Sequence, residues 1–182
     1  MKLLIASDIH GSAYWCAALM QVLDGERFDR AILLGDLLYH GPRNDLPREY
    51  APKKVIEMLN ARKSRFLCVR GNCEAEVDQM VLNFPVMADY ASLFLGNHLI
   101  YATHGHHFNL DNPPALQKGD FLLCGHTHVS GCIRKAQFTY LNPGSTSIPK
   151  NGTPHSYAVL ENGTMTWYDL ESGAEYMSET LW

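Results

Sequence analysis

The sequence lacks the features that mark secreted and membrane-bound proteins. Its cysteines form no C-x-x-C pair and are odd in number, five in all: Cys16, Cys68, Cys73, Cys124 and Cys132. No apolar run approaches the ~18 residues that cross a bilayer. The first apolar run is also too short for a signal peptide, because Asp8 and His10 follow it at once. We therefore expect reduced thiols, a cytoplasmic location and no membrane partner.

Basic clusters are missing as well. Lysine and arginine together number 15 against 19 acidic residues, which gives a formal net charge of −4. The chain has no charged low-complexity tail, and it has no Lys/Arg cluster of the kind that binds phosphate backbones. Nucleic acid is therefore not favoured as a substrate or partner, and neither is an anionic membrane surface.

The chain also shows no internal repeat, linker or domain boundary. Its 182 residues suit one domain, and an apolar content of 46% is enough for a sizeable core. We therefore predict a single domain over residues 1–182.

What the chain does contain is a set of buried strands that end in polar side chains. Residues 3–6 form a continuous apolar run, too short for a helix and typical of a strand buried on both faces. Asp8 and His10 follow this run, and ligands collect outside the carboxyl ends of strands in open α/β sheets. The Asp-x-His triplet alone is common by chance, so its weight depends on recurrence elsewhere in the chain.

The first half of the chain alternates between strands and helices. After the first strand, two helical patterns and two more buried strands follow, at residues 12–24, 31–34, about 52–62 and 66–69. Ser12 is the expected N-cap of the first helix, and Pro52 suits the first turn of the second. This alternation predicts a parallel α/β core.

The second half changes character, because short strands separated by turn signals replace the helices. Gly96-Asn97 would close a hairpin between residues 92–95 and 98–103. The remaining strands are expected at residues 121–124, 133–135, 138–141, 157–160 and 165–170. A helix-rich first half followed by a strand-rich second half predicts an α/β fold in which two sheets pack face to face with helices outside.

Five polar motifs stand at strand ends or directly after them, and each contains a glycine or lies beside one. They are Asp8-x-His10, Gly35-Asp36, Gly71-Asn72-Cys73, Thr103-His104-Gly105-His106 and Gly125-His126-Thr127-His128. Glycine permits close approach of the backbone to an ion or ligand. Imidazole, carboxylate and carboxamide groups form a mixed ligand set that suits Mn, Fe, Zn, Co or Ni and argues against calcium or an iron–sulfur centre.

In this order, the five motifs resemble those of the calcineurin-like metallophosphoesterases. The loop Gly35-Asp36-Leu37-Leu38-Tyr39-His40-Gly41-Pro42-Arg43-Asn44, with Gly71-Asn72-Cys73, is similar to that of the YfcE-type bacterial phosphodiesterases in this family. The resemblance covers residues 1–149 and is less distinct beyond them. It implies a two-sheet α/β/β/α sandwich and a metal-dependent phosphodiesterase that hydrolyses a small-molecule phosphodiester.

The same resemblance implies two divalent ions side by side. Asp8, His10, Asp36 and His128 would hold the first ion, and Asp36, Asn72, His104 and His126 would hold the second, with Asp36 shared. Manganese is the expected ion, with iron, zinc, nickel or cobalt as alternatives. Two divalent ions bring more positive charge than Asp8 and Asp36 neutralise, and the surplus can attract a phosphate and a hydroxide. A hydroxide shared by both ions would attack phosphorus in line.

Further catalytic candidates lie among and beside the implied ligands. Asn72 and His104 belong to the reaction centre under this resemblance. Related protein phosphatases carry Asp-Arg before the glycine that corresponds to Gly41, but here Tyr39-His40 stand there. His40 could replace the missing arginine, or Arg43 could reach in from the loop to make bidentate contacts with phosphate. Alternatively, Arg43 faces solvent.

Cys73 stands where many metallophosphoesterases have a histidine directly after the Gly-Asn pair. A thiol is mostly neutral near pH 7, so Cys73 cannot supply the positive charge of an imidazolium. Alternatively, Cys73 only fills space. His106 could contact substrate, orient His104 or be solvated. The segment Asn142-Pro143-Gly144-Ser145 resembles a family turn near the site and is interpreted as structural support.

Two alternatives differ in class from the phosphodiesterase. The same fold serves as a non-catalytic interaction module in the retromer coat, but that scaffold has lost proper metal ligands, whereas this chain keeps every matched position. A nuclease is disfavoured by the acidic net charge and by the missing stacking platform. The sequence leaves the physiological substrate open, and it leaves open whether the chain forms a homo-oligomer.

Overall fold

The computed structural model describes residues 1–182, which form three α-helices and eleven strands in two mixed sheets. In chain order the elements are β1 (Lys2–Ala6), α1 (Ala13–Gly25), β2 (Arg30–Leu33), α2 (Pro52–Asn60), β3 (Phe66–Cys68), α3 (Glu76–Val81), β4 (Tyr90–Leu95), β5 (His98–Thr103), β6 (Asp120–Leu123), β7 (Gly131–Arg134), β8 (Phe138–Asn142), β9 (Ser156–Glu161), β10 (Thr164–Asp169) and β11 (Glu175–Thr180). A short 3-10 turn, Lys63–Arg65, precedes β3.

The first sheet has the strand order β11-β10-β9-β1-β2-β3. β1 pairs in parallel with β2, so that Leu3 lies opposite Arg30, and β2 pairs in parallel with β3. β9 runs antiparallel to β1 on its other side. Because the three predicted buried strands are parallel neighbours, their carboxyl ends meet at one edge of the sheet, where ligands collect in open α/β sheets.

The second sheet has the strand order β4-β5-β6-β8-β7. β4 and β5 form the predicted hairpin, with Leu95 opposite His98 at its closed end. β5, β6 and β8 are parallel neighbours. The segments that follow β5 and β6, which carry the two predicted histidine motifs, therefore leave the second sheet at the same edge.

Successive residues of β1 point to opposite faces of the first sheet. Leu4 packs with buried side chains of α1 and α2, such as Leu19 and Leu59. Ile5 packs on the other face, between the two sheets, with Phe121 and Leu123. As predicted from its continuous apolar run, β1 is buried on both faces.

The outer face of the second sheet carries a small separate core, which consists of Leu122, Cys124, Phe138 and Tyr140. Leu110 and Leu116 cover it, and both belong to the irregular segment between β5 and β6. The predicted two-sheet α/β sandwich is confirmed, and in this chain the layer outside the second sheet is formed by that irregular segment.

Local signals place the helix ends close to the predicted positions. The Ser12 hydroxyl oxygen accepts a hydrogen bond from Trp15 N–H at 3.3 Å and caps α1. Pro52 occupies the first turn of α2, which ends at Asn60 rather than near residue 62. The sequence predicts neither α3, which buries no side chain, nor β11, an exposed edge strand. None of the three helices is both long and apolar enough to cross a membrane.

Candidate metal centre

The predicted ligands converge because the backbone ties the strand ends together. Asp8 N–H donates to Gly35 O at 3.1 Å and His10 N–H donates to Asp36 O at 2.9 Å, which joins the ends of β1 and β2. His126 N–H donates to Asp8 Oδ2 at 3.1 Å, which joins the two sheets. All seven predicted metal ligands meet at this junction: Asp8, His10, Asp36, Asn72, His104, His126 and His128.

Most of these residues have unusual backbone conformations. Five of them lie in the left-handed region: Asp8 (φ 58°), His10 (48°), Asp36 (55°), His126 (65°) and His128 (61°). A non-glycine residue in such a conformation costs on the order of 1–3 kcal/mol and persists where the surrounding structure imposes it. Strain of this kind clusters at functional sites, which supports a functional role for this junction.

Three imidazoles are held in one tautomer by backbone carbonyl groups. The Nδ1 atoms of His10, His104 and His128 lie 2.8, 2.6 and 2.8 Å from the carbonyl oxygens of Tyr39, Leu34 and Ile148. A carbonyl oxygen can only accept, so each Nδ1 atom carries a proton and donates it. In the neutral ring, Nε2 then offers a lone pair, which is the arrangement that orients metal-binding histidines.

Asp8, His10 and His128 make up the first ligand group. The Nε2 atoms of His10 and His128 lie 3.3 Å apart, and His128 Nε2 lies 3.2 Å from Asp8 Oδ1. Asp8 Oδ1 is buried and has no hydrogen-bond partner. Lone pairs therefore face one another across a space that contains no donor. A cation fits this space because it would satisfy all three groups at once.

Asn72, His104 and His126 make up the second ligand group. His104 Nε2 lies 3.1 Å from Asn72 Oδ1 and 3.2 Å from His126 Nδ1. His126 therefore faces its ligand group with Nδ1. The imidazoles of His10, His104 and His128 face theirs with Nε2. This second set of mixed nitrogen and oxygen donors also suits a divalent transition metal.

Asp36 lies between the two groups. Its Oδ2 atom is 3.7 Å from His10 Nε2 and 3.5 Å from His104 Nε2. Its Oδ1 atom accepts a hydrogen bond from Cys73 N–H at 2.9 Å, which fixes the orientation of the carboxylate. A single carboxylate thus faces both ligand groups, as the resemblance implies for a shared ligand.

The electrostatics of the junction favour positive charge. Burial opposes ionisation of Asp8 and Asp36, but neighbouring imidazoles lower the pKa values of both carboxyl groups: His10 and His128 beside Asp8, and His104 beside Asp36. Burial also lowers the pKa of His104, but Asp36 and Asp8 outweigh it and raise that pKa to about 9. The two buried carboxylates therefore require compensating cations, which bound protons or metal ions can supply.

Glu74 is a buried residue of the junction that belongs to none of the sequence motifs. One carboxylate oxygen accepts hydrogen bonds from Asp36 N–H, at 2.8 Å, and from Gly71 N–H, and the other accepts from Leu37 N–H at 2.7 Å. Burial, followed by the charge of Asp36, raises the pKa of Glu74 to about 7. Glu74 therefore holds the backbone on both sides of the shared carboxylate. Its only signal in the sequence is its position directly after the Gly-Asn-Cys motif.

Two serines hold Asp8 from the opposite side. The hydroxyl groups of Ser145 and Ser147 both donate to Asp8 O at 3.0 Å. Asn142, at the start of this segment, donates to Gly125 O at 2.8 Å. These contacts agree with the interpretation of residues 142–145 as structural support.

A polar cavity of about 430 Å³ opens over the ligands, and we call it the cleft. Arg43, Cys73 and Lys150 line it, and its lining is mostly polar. The sequence motifs point to Arg43 and Cys73, whereas Lys150 belongs to no motif. His40 is not part of the cleft lining.

The histidines outside the seven proposed ligands differ in their surroundings. The His40 ring packs between Tyr39 and Tyr50, with centroid distances of 4.7 and 5.2 Å. The His106 ring lies 5.4 Å from that of His104 but does not line the cleft, and burial, aided by the charge of His104, lowers its pKa to about 4. His155 is half-buried and stacks on Trp15, with ring centroids 3.7 Å apart.

Comparison with known proteins identifies the family. Residues 1–165 match the family model of the calcineurin-like phosphoesterase superfamily domain. Phosphodiesterase YfcE of Escherichia coli K12 is 44% identical over 166 residues, which is 91% of this chain and 90% of that protein. A solved structure of YfcE, described as a phosphoesterase, is 41% identical, covers 100% of both chains and has a TM-score of 0.96.

More distant matches share the fold alone. Vps29 of Entamoeba histolytica is 20% identical, with a TM-score of 0.63 over 98% of this chain and 97% of that one. The family model, in contrast, matches residues 1–165, and the sequence identity to YfcE is 44%. Both matches show more than a common fold. The chain belongs to the calcineurin-like phosphoesterase family.

Proposed function

We propose that this chain is a metal-dependent phosphodiesterase that hydrolyses small-molecule phosphodiesters at a two-metal site. The observation that carries the proposal is the position of Asp36 between the two ligand groups, with Oδ2 3.7 Å from His10 Nε2 and 3.5 Å from His104 Nε2. The 44% identity to phosphodiesterase YfcE supports the same activity.

In this proposal the two ligand groups each hold one divalent ion, and Asp36 contacts both. Manganese is the proposed ion, because a mixed set of imidazole, carboxylate and carboxamide ligands suits it, although iron, zinc, nickel and cobalt share this preference. When bound, such ions lower the pKa of water and polarise a phosphoryl oxygen, which supplies a nucleophile near neutral pH.

The protein's own residues would bind and orient the substrate. Arg43 and Lys150 line the cleft, where their charges can bind the non-reacting phosphate oxygens. The Asn72 carboxamide nitrogen lies 3.3 Å from Cys73 Sγ at the same wall and can donate to a phosphate oxygen. Burial, aided by the charge of Asp36, raises the pKa of the Cys73 thiol, so this side chain remains neutral. A site without an imidazolium at that position favours the monoanion of a diester over the dianion of a monoester.

We also propose a cytoplasmic location, which the five free thiols support. A scaffold role would not require seven potential metal ligands, six of them buried or half-buried, to face one another. The nuclease alternative is tested by comparing cleavage of single-stranded DNA with that of a small diester.

The experiment measures metal content and activity on the same protein. Purified protein is stripped with chelator, metal is restored in steps, and hydrolysis of bis-p-nitrophenyl phosphate is followed with bound metal per chain. We expect activity to appear only as two ions bind. Full activity with less than one ion per chain would contradict the two-metal proposal, and no activity at any loading would favour the scaffold. Faster cleavage of single-stranded DNA than of the small diester would favour the nuclease.

A further inference from the structure

A second cavity, of about 420 Å³, lies directly beside the cleft and differs from it in character. Its walls are largely apolar and include Leu38, Tyr39, Tyr50, Ile56, Val77 and Val81. We call it the apolar groove. Asp78, a charged residue at its edge, accepts a hydrogen bond from Ala75 N–H at 2.8 Å at the start of α3, so its carboxylate is already engaged.

The groove exposes apolar side chains that the core does not use. Val77 is 59% exposed, Tyr39 42% and Val81 38%. Val77 and Val81 are four residues apart in α3, so they lie on one face of that helix. Adjacent exposed apolar side chains rimmed by polar ones mark binding surfaces more often than isolated ones do.

The groove is continuous with the cleft. Cys73 lines both cavities, and its backbone N–H donates to Asp36 Oδ1 at 2.9 Å. On the opposite wall, Tyr39 lines the groove, and its carbonyl oxygen accepts from His10 Nδ1 at 2.8 Å. Both walls of the groove therefore begin at residues in direct contact with the ligands that the proposed function uses.

The cleft itself offers little to an apolar group, because Arg43, Asn44 and Lys150 line it and few apolar side chains do. A phosphodiester carries two ester groups in addition to its charged phosphate. We propose that the apolar groove binds one ester group of the substrate, so that the preferred substrates are phosphodiesters in which that group is an alkyl chain or an aryl ring. This inference rests on the proposed function, since it assumes that a phosphodiester occupies the cleft.

A competing cavity, of about 410 Å³, lies on the other side of the cleft and shares His126 and Thr127 with it. Its walls mix apolar residues such as Ile133 with polar ones such as Asn109 and Asp111. The lining of the apolar groove is more uniformly apolar, so we assign the binding site of the ester group to this groove. The competing cavity serves as the alternative outcome of the experiment.

The experiment varies one ester group and keeps the leaving group constant. Hydrolysis of p-nitrophenyl hexyl phosphate is compared with that of p-nitrophenyl methyl phosphate, and release of p-nitrophenol is measured for both. We expect kcat/KM to be about tenfold higher for the hexyl ester, through contact of the chain with an open groove. The gain should appear as a lower KM with similar kcat, because the groove contacts the ester group equally before and during reaction.

Variants then identify the residues that produce the higher kcat/KM of the hexyl ester. In Val77→Ser/Val81→Ser we expect hexyl and methyl esters to be hydrolysed within twofold of each other, with the methyl ester unchanged. Met80→Ser is the matched control, because Met80 lies on the same helix, is 82% exposed and does not line the groove. Ile133→Ser tests the competing cavity. Equal kcat/KM for both esters in the wild type, or loss of the gain in Ile133→Ser alone, would overturn the assignment.

A binding measurement separates this inference from the proposed function. Hexyl(methyl)phosphinate and dimethylphosphinate carry the charge of a diester, but their P–C bonds resist hydrolysis. We expect the methyl NMR signals of Ile56, Val77 and Val81 to shift with the hexyl compound and not with the dimethyl compound. Absence of any diester hydrolysis would count against the proposed function, whereas hydrolysis without these shifts would count against the groove alone.

Discussion

The Nε2 atoms of His10 and His128 lie 3.3 Å apart, although 118 positions separate the two residues in the chain. Neither ring can turn away, because each Nδ1 atom donates to a backbone carbonyl oxygen. Two imidazole lone pairs thus face each other beside the buried carboxylate of Asp8, with Oδ1 3.5 Å from His10 Nε2. Such an arrangement is stabilised when a positive charge lies between the groups.

The first prediction concerns the shared carboxylate. Asp36→Asn should weaken binding at both metal positions, because Asp36 is the one residue that faces both ligand groups. His10→Ala should weaken the first position and leave the second largely intact. Isothermal titration with Mn²⁺ on stripped protein measures both effects. Asp89→Asn, a change at an exposed aspartate outside the junction, is the control. Two ions bound to Asp36→Asn at wild-type affinity would show that Asp36 is not shared.

The second prediction concerns the space beside that carboxylate. A Cβ atom at residue 71 would overlap Asp36 Oδ1 and lie 2.5 Å from Asp36 N. Gly71→Ala should therefore displace Asp36, reduce metal affinity and destabilise the fold by about 1–3 kcal/mol. Gly131→Ala is a matched control, because a Cβ there meets no atom within 4 Å. Urea denaturation and metal titration on both variants check this, and equal behaviour of the two would contradict it.

The third prediction concerns the leaving group. Cys73 lines the cleft as a neutral thiol, so the wild type should prefer bis-p-nitrophenyl phosphate to p-nitrophenyl phosphate and hydrolyse alkyl monoesters weakly. Cys73→His should narrow this gap, by up to the ~10²-fold that a positioned acid contributes. Cys73→Ser, which adds no imidazole, is the control.

The kinetic comparison uses the diester and two monoesters whose leaving groups differ in pKa. If the wild type hydrolyses alkyl monoesters as fast as the aryl diester, the missing histidine has no consequence for substrate preference. If Cys73→His loses activity on every substrate, the imidazole does not fit, and Cys73 acts by filling space.

The fourth prediction concerns pH and stability. Burial against Trp15 lowers the pKa of His155, and the hydrogen bond to Thr146 O only partly opposes this effect. Below pH ~6.5 the unfolded chain binds a proton that the folded chain resists, so this residue costs stability as the pH falls. His155→Phe keeps a ring on Trp15 and removes the proton.

The test of this prediction is a pair of denaturation series at pH 7.5, 6.0 and 5.0. We expect His155→Phe to gain in unfolding free energy relative to the wild type as the pH is lowered. His107→Phe, at an exposed loop position, should show no such trend. A constant difference between His155→Phe and the wild type at all three values would show that His155 does not titrate differently in the folded state.

The sequence predicts those parts of the molecule whose cause is local. β1 is recognised because its apolar run is continuous, and Asp8 and His10 are recognised because they follow it within four positions of Ala6. α3 is missed because its six residues, Glu76–Val81, are too few to show a helical period and none of its side chains is buried. Glu74 is missed because its partners are brought to it by the fold: Asp36 lies 38 positions away along the chain.

The loop after Asp36 shows where pattern alone cannot decide. His40 and Arg43 are three positions apart and both carry groups that can bind phosphate. Only the packing of the His40 ring against Tyr39 and Tyr50 separates them, and it leaves Arg43 in the cleft. Their roles toward substrate stay predictions until tested.

The left-handed backbone at the ligand positions has an evolutionary consequence. Asp8, His10, Asp36, His126 and His128 hold conformations that glycine or asparagine adopts at less cost. Replacement of such a ligand by glycine would remove metal binding and relieve backbone strain in the same step. A lineage no longer selected for catalysis could therefore lose its ligands one by one while the sandwich remains folded. In this architecture, loss of the ligands would cost little folding stability, whereas their retention would require selection for catalysis.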